Sequence, residues 1–183
     1  HMDDGHTDHI GEPGTRDGKK GWHDAGDYGK YTVNAGITVG AMLQAWEDFE
    51  GALRGRALPI PEAGGALPDY LDEIKWELEW LFTMQYSPTD GRVSHKLTSL
   101  DFDIFEMPEA DLLTRYFVPW GSAATADFVA MLAKASRIYR KVGDVEFADR
   151  CLAAAKVSYD YLRANPADVA PNQTGFETGG YGT

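Results

Sequence analysis

Cysteine is nearly absent: Cys151 is the only one in 183 residues. A lone thiol excludes an internal disulfide and any metal site built from several cysteines of this chain. Set in a helical pattern, it reads as a small core residue, silent about redox compartment. Long apolar runs are also missing, and none approaches the roughly 18 residues needed to cross a bilayer. Positive charge is scarce, with 17 Lys and Arg against 29 Asp and Glu and a formal net charge of −12. That balance, with a pI near 4.7, argues against nucleic acid or an anionic membrane as partner. It suits a protein acting on a neutral polymer. No signal-peptide pattern is visible, although a chain that begins at His1 need not show one.

What is present is a dense polar and aromatic turn. Residues 21–31 read Gly-Trp-His-Asp-Ala-Gly-Asp-Tyr-Gly-Lys-Tyr, which sets Asp24 and Asp27 three residues apart between aromatics. Gly26 is expected to give the backbone freedom to aim both acids at one point. Paired carboxylates beside aromatic surface suit activation of a water molecule next to a sugar ring. The plainer reading is a polar turn that caps the following helix through Asp27 or Asn34. The turn alone leaves both open.

Apolar periodicity predicts four helices. The first covers about 33–54, with Val39, Met42, Leu43, Trp46, Phe49 and Leu53 on one stripe, and Gly55, Pro59 and Pro61 closing it. The second covers about 68–85, with Leu71, Ile74, Leu78, Leu81 and Phe82 inward and Trp76 and Trp80 on the flank as core candidates. The third covers 123–142, with Phe128, Leu132, Ala135, Tyr139 and Val142 on its stripe. The fourth covers 145–164, with Ala148, Leu152, Ala155, Tyr159 and Leu162 inward. Between 86 and 120 the helical period disappears without β alternation replacing it, so a long functional connection is expected there. Residues 12–20 and 167–183 read as loops. The fold class is therefore all-α, an array of α-hairpins. Period alone does not separate a bundle, a helical repeat and a barrel.

The stretch Trp22 to Tyr31, continuing through Asn34, Ala35 and Gly36, closely resembles the signature of glycoside hydrolase family 9. Val93-Ser-His-Lys-Leu-Thr, Phe105-Glu-Met-Pro-Glu, Ser122-Ala-Ala-Thr-Ala-Asp-Phe and Gly179-Gly-Tyr resemble later stretches of the family, in the same order. The resemblance implies an (α/α)₆ barrel of which residues 1–183 form the N-terminal part. It also implies inverting hydrolysis of β-1,4-glucosidic bonds in cellulose or related β-glucans. Asp27 matches the family's general base, and Asp24 its partner in holding the water. Two acids this close are expected to ionise unequally unless hydrogen bonds compensate. The general acid is a glutamate that the family carries far downstream, and no residue here matches it, so residues 1–183 alone are expected to be catalytically incomplete. The partner expected to complete the site is the remaining C-terminal part of the barrel, on the same or a separate chain.

His95 matches a histidine that contacts sugar in the cleft, and Tyr181 a tyrosine on the cleft floor. Tyr28 and Lys30 are expected to support the acids, with Tyr28 also a substrate contact. Trp120 is a stacking candidate on chemical grounds, with core packing the alternative. His1 and His23 match two of four zinc ligands in relatives that carry an upstream immunoglobulin-like domain. The two cysteines of that set have no counterpart, and a closed structural site needs four ligands. His1-Met2 reads either as residues left by cloning or as native chain. Structural zinc and structural calcium stand as expectations, as does a bacterial, secreted enzyme. The alternatives are an exo-acting β-glucosidase or glucosaminidase of the same family, or a non-catalytic glycan-binding fragment.

Overall fold

The structure, a computed structural model, describes residues 4–102 and 105–181. Four helices dominate it: α1 (Thr32–Leu53), α2 (Asp69–Met84), α3 (Ser122–Val142) and α4 (Val145–Ala164). Their limits lie within about a residue of those that periodicity predicts, since the stop signals are local. Gly143 closes α3 with φ 103°, a left-handed conformation that glycine adopts freely. Asp144 then caps α4 by accepting from the Phe147 amide.

The core lies where helical stripes meet. Val39, Leu43 and Trp46 of α1, Leu71, Ile74, Leu78 and Leu81 of α2, and Phe128, Leu132 and Ala135 of α3 are all buried. Of the two flank tryptophans expected in the core, Trp80 is buried but Trp76 is 39% exposed, and two expectations about the stripes also fail. Helix α1 kinks at Phe49 (φ −129°), which turns that ring out to 62% exposure. On α4 the inward face is Phe147, Ala148, Cys151, Ala155 and Ser158, so Tyr159 is half exposed and Leu152 only partly covered. Small side chains let α4 press against its neighbours: a Cβ on Gly91 would stand 2.5 Å from the Val157 carbonyl. Burial pushes the Cys151 thiol up to about 12, consistent with an inert core residue.

The stretches without helical period contain short strands. The first strand, β1 (Asp4–His6), is followed by β2 (Thr15–Asp17), β3 (Lys30–Tyr31), β4 (Gln85–Ser87), β5 (Asp90–Val93), β6 (Lys96–Thr98) and β7 (Arg115–Phe117). Five of them form a sheet in the order β2-β1-β7-β6-β3, parallel only between β1 and β7; β4 and β5 make a hairpin. Strands of two to four residues are too short to show alternation in sequence. Gly5 sits against Leu97 and Phe117, where a Cβ would stand 2.4 Å from the leucine side chain. The sheet fixes the candidate site: Tyr31 pairs with Lys96 and Lys30 with Leu97, which brings the polar turn beside His95 and Lys96.

Candidate active site

The turn between Gly21 and β3 is not a helix cap. Helix α1 begins at Thr32 after an extended Tyr31, with no side-chain cap and no acid in its first turn. Both carboxylates are held by other partners. Asp27 Oδ2 accepts from the Tyr31 hydroxyl at 2.5 Å, and its Oδ1 from the Gly29 amide at 3.4 Å. Asp24 Oδ1 accepts from Asn34 Nδ2 at 2.6 Å, and its Oδ2 from the Tyr181 hydroxyl at 2.6 Å. The Tyr31 and Tyr181 rings meet edge-on with centroids 4.7 Å apart. One tyrosine hydroxyl thus fixes each acid, and the two rings fix one another.

Burial first, then the hydrogen bond to Asp27, raises the Tyr31 pKa. Tyr181 is raised chiefly by its bond to Asp24. Both hydroxyls therefore stay protonated as donors at neutral pH.

The Lys96 ammonium is buried. It donates to the Gly179 carbonyl at 2.7 Å and lies 5.6 Å from the centre of the Tyr31 ring. Burial pushes it down to about 8, against the opposing pull of Asp27. His95 is also buried, with Nε2 on the Gly180 carbonyl at 3.0 Å and Nδ1 without a protein partner among the described residues. Burial, with a smaller contribution from Lys96, lowers its pKa. His95 and Lys96 thus anchor the 178–180 segment that delivers Tyr181 to Asp24.

The other expected residues divide. Tyr28 takes a left-handed conformation (φ 51°) and its hydroxyl donates to the Glu106 carbonyl at 2.5 Å, tying the Phe105–Met107 segment to the turn. The left-handed positions of the turn are Gly21 and Tyr28; Gly26, expected to supply that freedom, has no positive φ. Lys30, expected to support the acids, sends its buried ammonium to the carbonyls of Gly18 and Lys20. Trp120 is half-buried, edge-on to Tyr161 at 5.2 Å and packed at the margin of the core. His23 Nδ1 lies 2.6 Å from the Tyr28 carbonyl, and His1 falls outside the described residues. No group of three or more His, Cys, Asp or Glu among the described residues could hold a metal ion. The described residues by themselves do not form a closed four-ligand zinc site.

The contributions that sequence reading missed are Tyr31 as the donor to Asp27 and Asn34 as the donor to Asp24. Their spacings of four and ten residues carry no signal until the turn is folded.

Comparison with known proteins agrees with this arrangement. The family described as "Glycosyl hydrolase family 9" matches residues 1–183. Endoglucanase D of Acetivibrio thermocellus is 54% identical over 184 aligned residues, covering 100% of this chain and 29% of that protein. A xyloglucan-specific endo-beta-1,4-glucanase of Bacteroides ovatus is 38% identical over 80% of this chain and 25% of its own. Among solved structures, a metagenome-derived glycoside hydrolase family 9 endoglucanase superposes with TM-score 0.89 at 35% identity, over 99% of this chain and 33% of that one. The chain thus spans about three-tenths of the length of the curated relatives it first matches. Its four helices correspond to part of an (α/α)₆ barrel, and the chain belongs to glycosyl hydrolase family 9.

Proposed function

We propose that residues 1–183 supply the base side of the cleft of an inverting β-1,4-glucan hydrolase. The observation that carries this reading is the separate anchoring of Asp24 and Asp27. Asp24 is oriented by donors from outside the turn and Asp27 by Tyr31 at its end together with the Gly29 amide, and neither serves as a helix cap. In this reading Asp27 takes the proton from a water molecule as that water attacks the anomeric carbon, while Asp24 holds the water by its second hydrogen. Tyr31 keeps Asp27 oriented. A general acid across the scissile bond protonates the leaving oxygen, about 6.5–9.5 Å from the base in an inverting site. The family resemblance puts that glutamate downstream of residue 183, in the remainder of the barrel.

The substrate class follows from relatives named as endoglucanase, xyloglucan-specific endo-beta-1,4-glucanase and cellulose 1,4-beta-cellobiosidase. A β-glucan polymer would be met outside the cell, so a secreted bacterial enzyme is part of the same proposal. Zinc or calcium would be structural, and no step is routed through either.

Asp27→Ala in the complete enzyme is expected to lower kcat by at least about a thousandfold while oligosaccharide affinity stays within about tenfold, since the base acts in the transition state. Steady-state kinetics with calorimetric binding decide it. Retained turnover removes Asp27 from the role.

A further inference from the structure

The two-acid turn has a second set of anchors, on α2, that lie outside the chemistry described above. Gly21 and Trp22, at the start of the turn, are bound by side chains and backbone of three α2 residues. The Trp22 amide donates to Glu77 Oε2 at 2.5 Å and the Trp22 indole Nε1 donates to Glu73 Oε1 at 2.7 Å. The Gly21 amide donates to the Trp76 carbonyl at 3.3 Å, and Trp76 Nε1 donates to the Gly21 carbonyl at 3.2 Å. Gly21 itself has φ 74° and lies on Trp80, where a Cβ would stand 2.6 Å from the ring. Positions 73, 76, 77 and 80 recur at i, i+3, i+4 and i+7, which is one face of a helix. One stripe of α2 therefore receives the start of the turn.

Glu77 is out of place on stability grounds. It is 2% exposed, on a helix whose neighbouring inward residues are Ile74, Leu78 and Leu81. A buried carboxyl costs stability unless it is well partnered, and an apolar residue of similar volume often serves the fold as well or better. Its protein partner on the turn is the Trp22 amide, two residues before Asp24. Burial pushes the Glu77 carboxyl up to about 8, against the smaller opposing pulls of the Trp22 amide and of Lys30 at the far end of the turn, and the Lys30 ammonium binds the carbonyls of Gly18 and Lys20 just before the turn begins. The start of the turn is thus fastened to α2, and Lys30 at its end binds back to the segment just before it.

We propose that Glu77, assisted by Glu73, is a positioning residue that holds the start of the turn so that Asp24 and Asp27 meet the nucleophilic water. This rests on the function proposed above. It acts through Trp22 and touches no substrate. A positioning error well below an ångström is costly because the attacking water must lie in line with the bond that breaks.

The test uses the longest natural chain containing residues 1–183, assayed on a soluble β-glucan well below each variant's Tm. Glu77→Leu keeps the volume and removes the acceptor. It is expected to lower kcat by about tenfold or more with KM within about threefold, and Glu77→Gln, which keeps an acceptor, to return kcat to within about threefold of the parent. Glu73→Leu, which loses only the indole bond, is expected to lower kcat by about threefold. A purely structural role would lower Tm in Glu77→Leu and leave kcat of the folded enzyme intact, which overturns the proposal. Should Glu77→Leu not fold, an unchanged kcat in Glu73→Leu overturns it instead. Asp27→Ala runs alongside: if it still turns over, the proposed function fails; if it is inactive while both leucine variants keep full kcat, only the positioning role fails.

Discussion

The α3–α4 hairpin and the two-acid turn are built on opposite principles. In the hairpin the determinants are local. Apolar residues recur at helical spacing, Gly143 turns the chain, and Asp144 caps the next helix within three residues. In the turn Asp27 has its donors nearby, in Tyr31 and Gly29, but several other determinants are distant. Asp24 is fixed by Tyr181, Trp22 by Glu73 and Glu77, and Tyr28 by the Glu106 carbonyl. The hairpin gains stability from burial, which tolerates small displacements. The turn holds polar groups whose directions are set by hydrogen bonds, which do not.

This difference can be pressed from the hairpin side first, where the largest change is expected. Leu132 is fully buried on α3, so Leu132→Ala should cost about 2–5 kcal/mol of stability. Its kcat at temperatures where the protein stays folded should be unchanged. Denaturant unfolding paired with kinetics reads both, and a loss of kcat in proportion to stability would show that the two regions are not separate.

From the turn side the expectation reverses. Tyr31→Phe removes one hydroxyl from Asp27 and should lower kcat by about tenfold or more, the order expected for a hydrogen bond to a charged group. Stability should change by less than about 1.5 kcal/mol, since the ring remains. Equal kcat for the two proteins would show that Gly29 alone orients the base.

A further effect is a slope. Burial raises Glu77 from an ordinary value near 4.5 to about 8. A carboxyl raised in the folded state contributes stability that is fully present below about 4.5 and is lost as the pH rises through about 8. Glu77→Gln, which does not titrate, should flatten the fall of Tm between those pH values. Parallel Tm–pH curves for parent and variant would contradict the burial of an ionisable group there.

Much of the fold was legible because helix signals are local. The α4 limits and the Gly143–Asp144 break follow from periodicity and capping. The face of α4 was misjudged by one position, since Cys151 and Ser158 go inside while Tyr159 is half exposed. The kink at Phe49 has no proline to announce it. Strands of two to four residues left no alternation to read, although one of them sets Tyr31 against Lys96. In the site, the resemblance singled out Asp24, Asp27 and Tyr181, and the structure brings the Tyr181 hydroxyl to Asp24. Nothing in the charge pattern of α2 sets Glu73 and Glu77 apart, and Lys30, expected at the acids, binds the carbonyls of Gly18 and Lys20.

The sequence by itself determined the four helices, the Gly143–Asp144 break between the last two, and which two carboxylates would stand in the turn. These depend on spacing along the chain and on family signature. Only the tertiary structure decided where those carboxylates are aimed. Their donors lie as far apart in sequence as Asn34 and Tyr181, and a hydrogen bond has a direction that no one-dimensional period encodes.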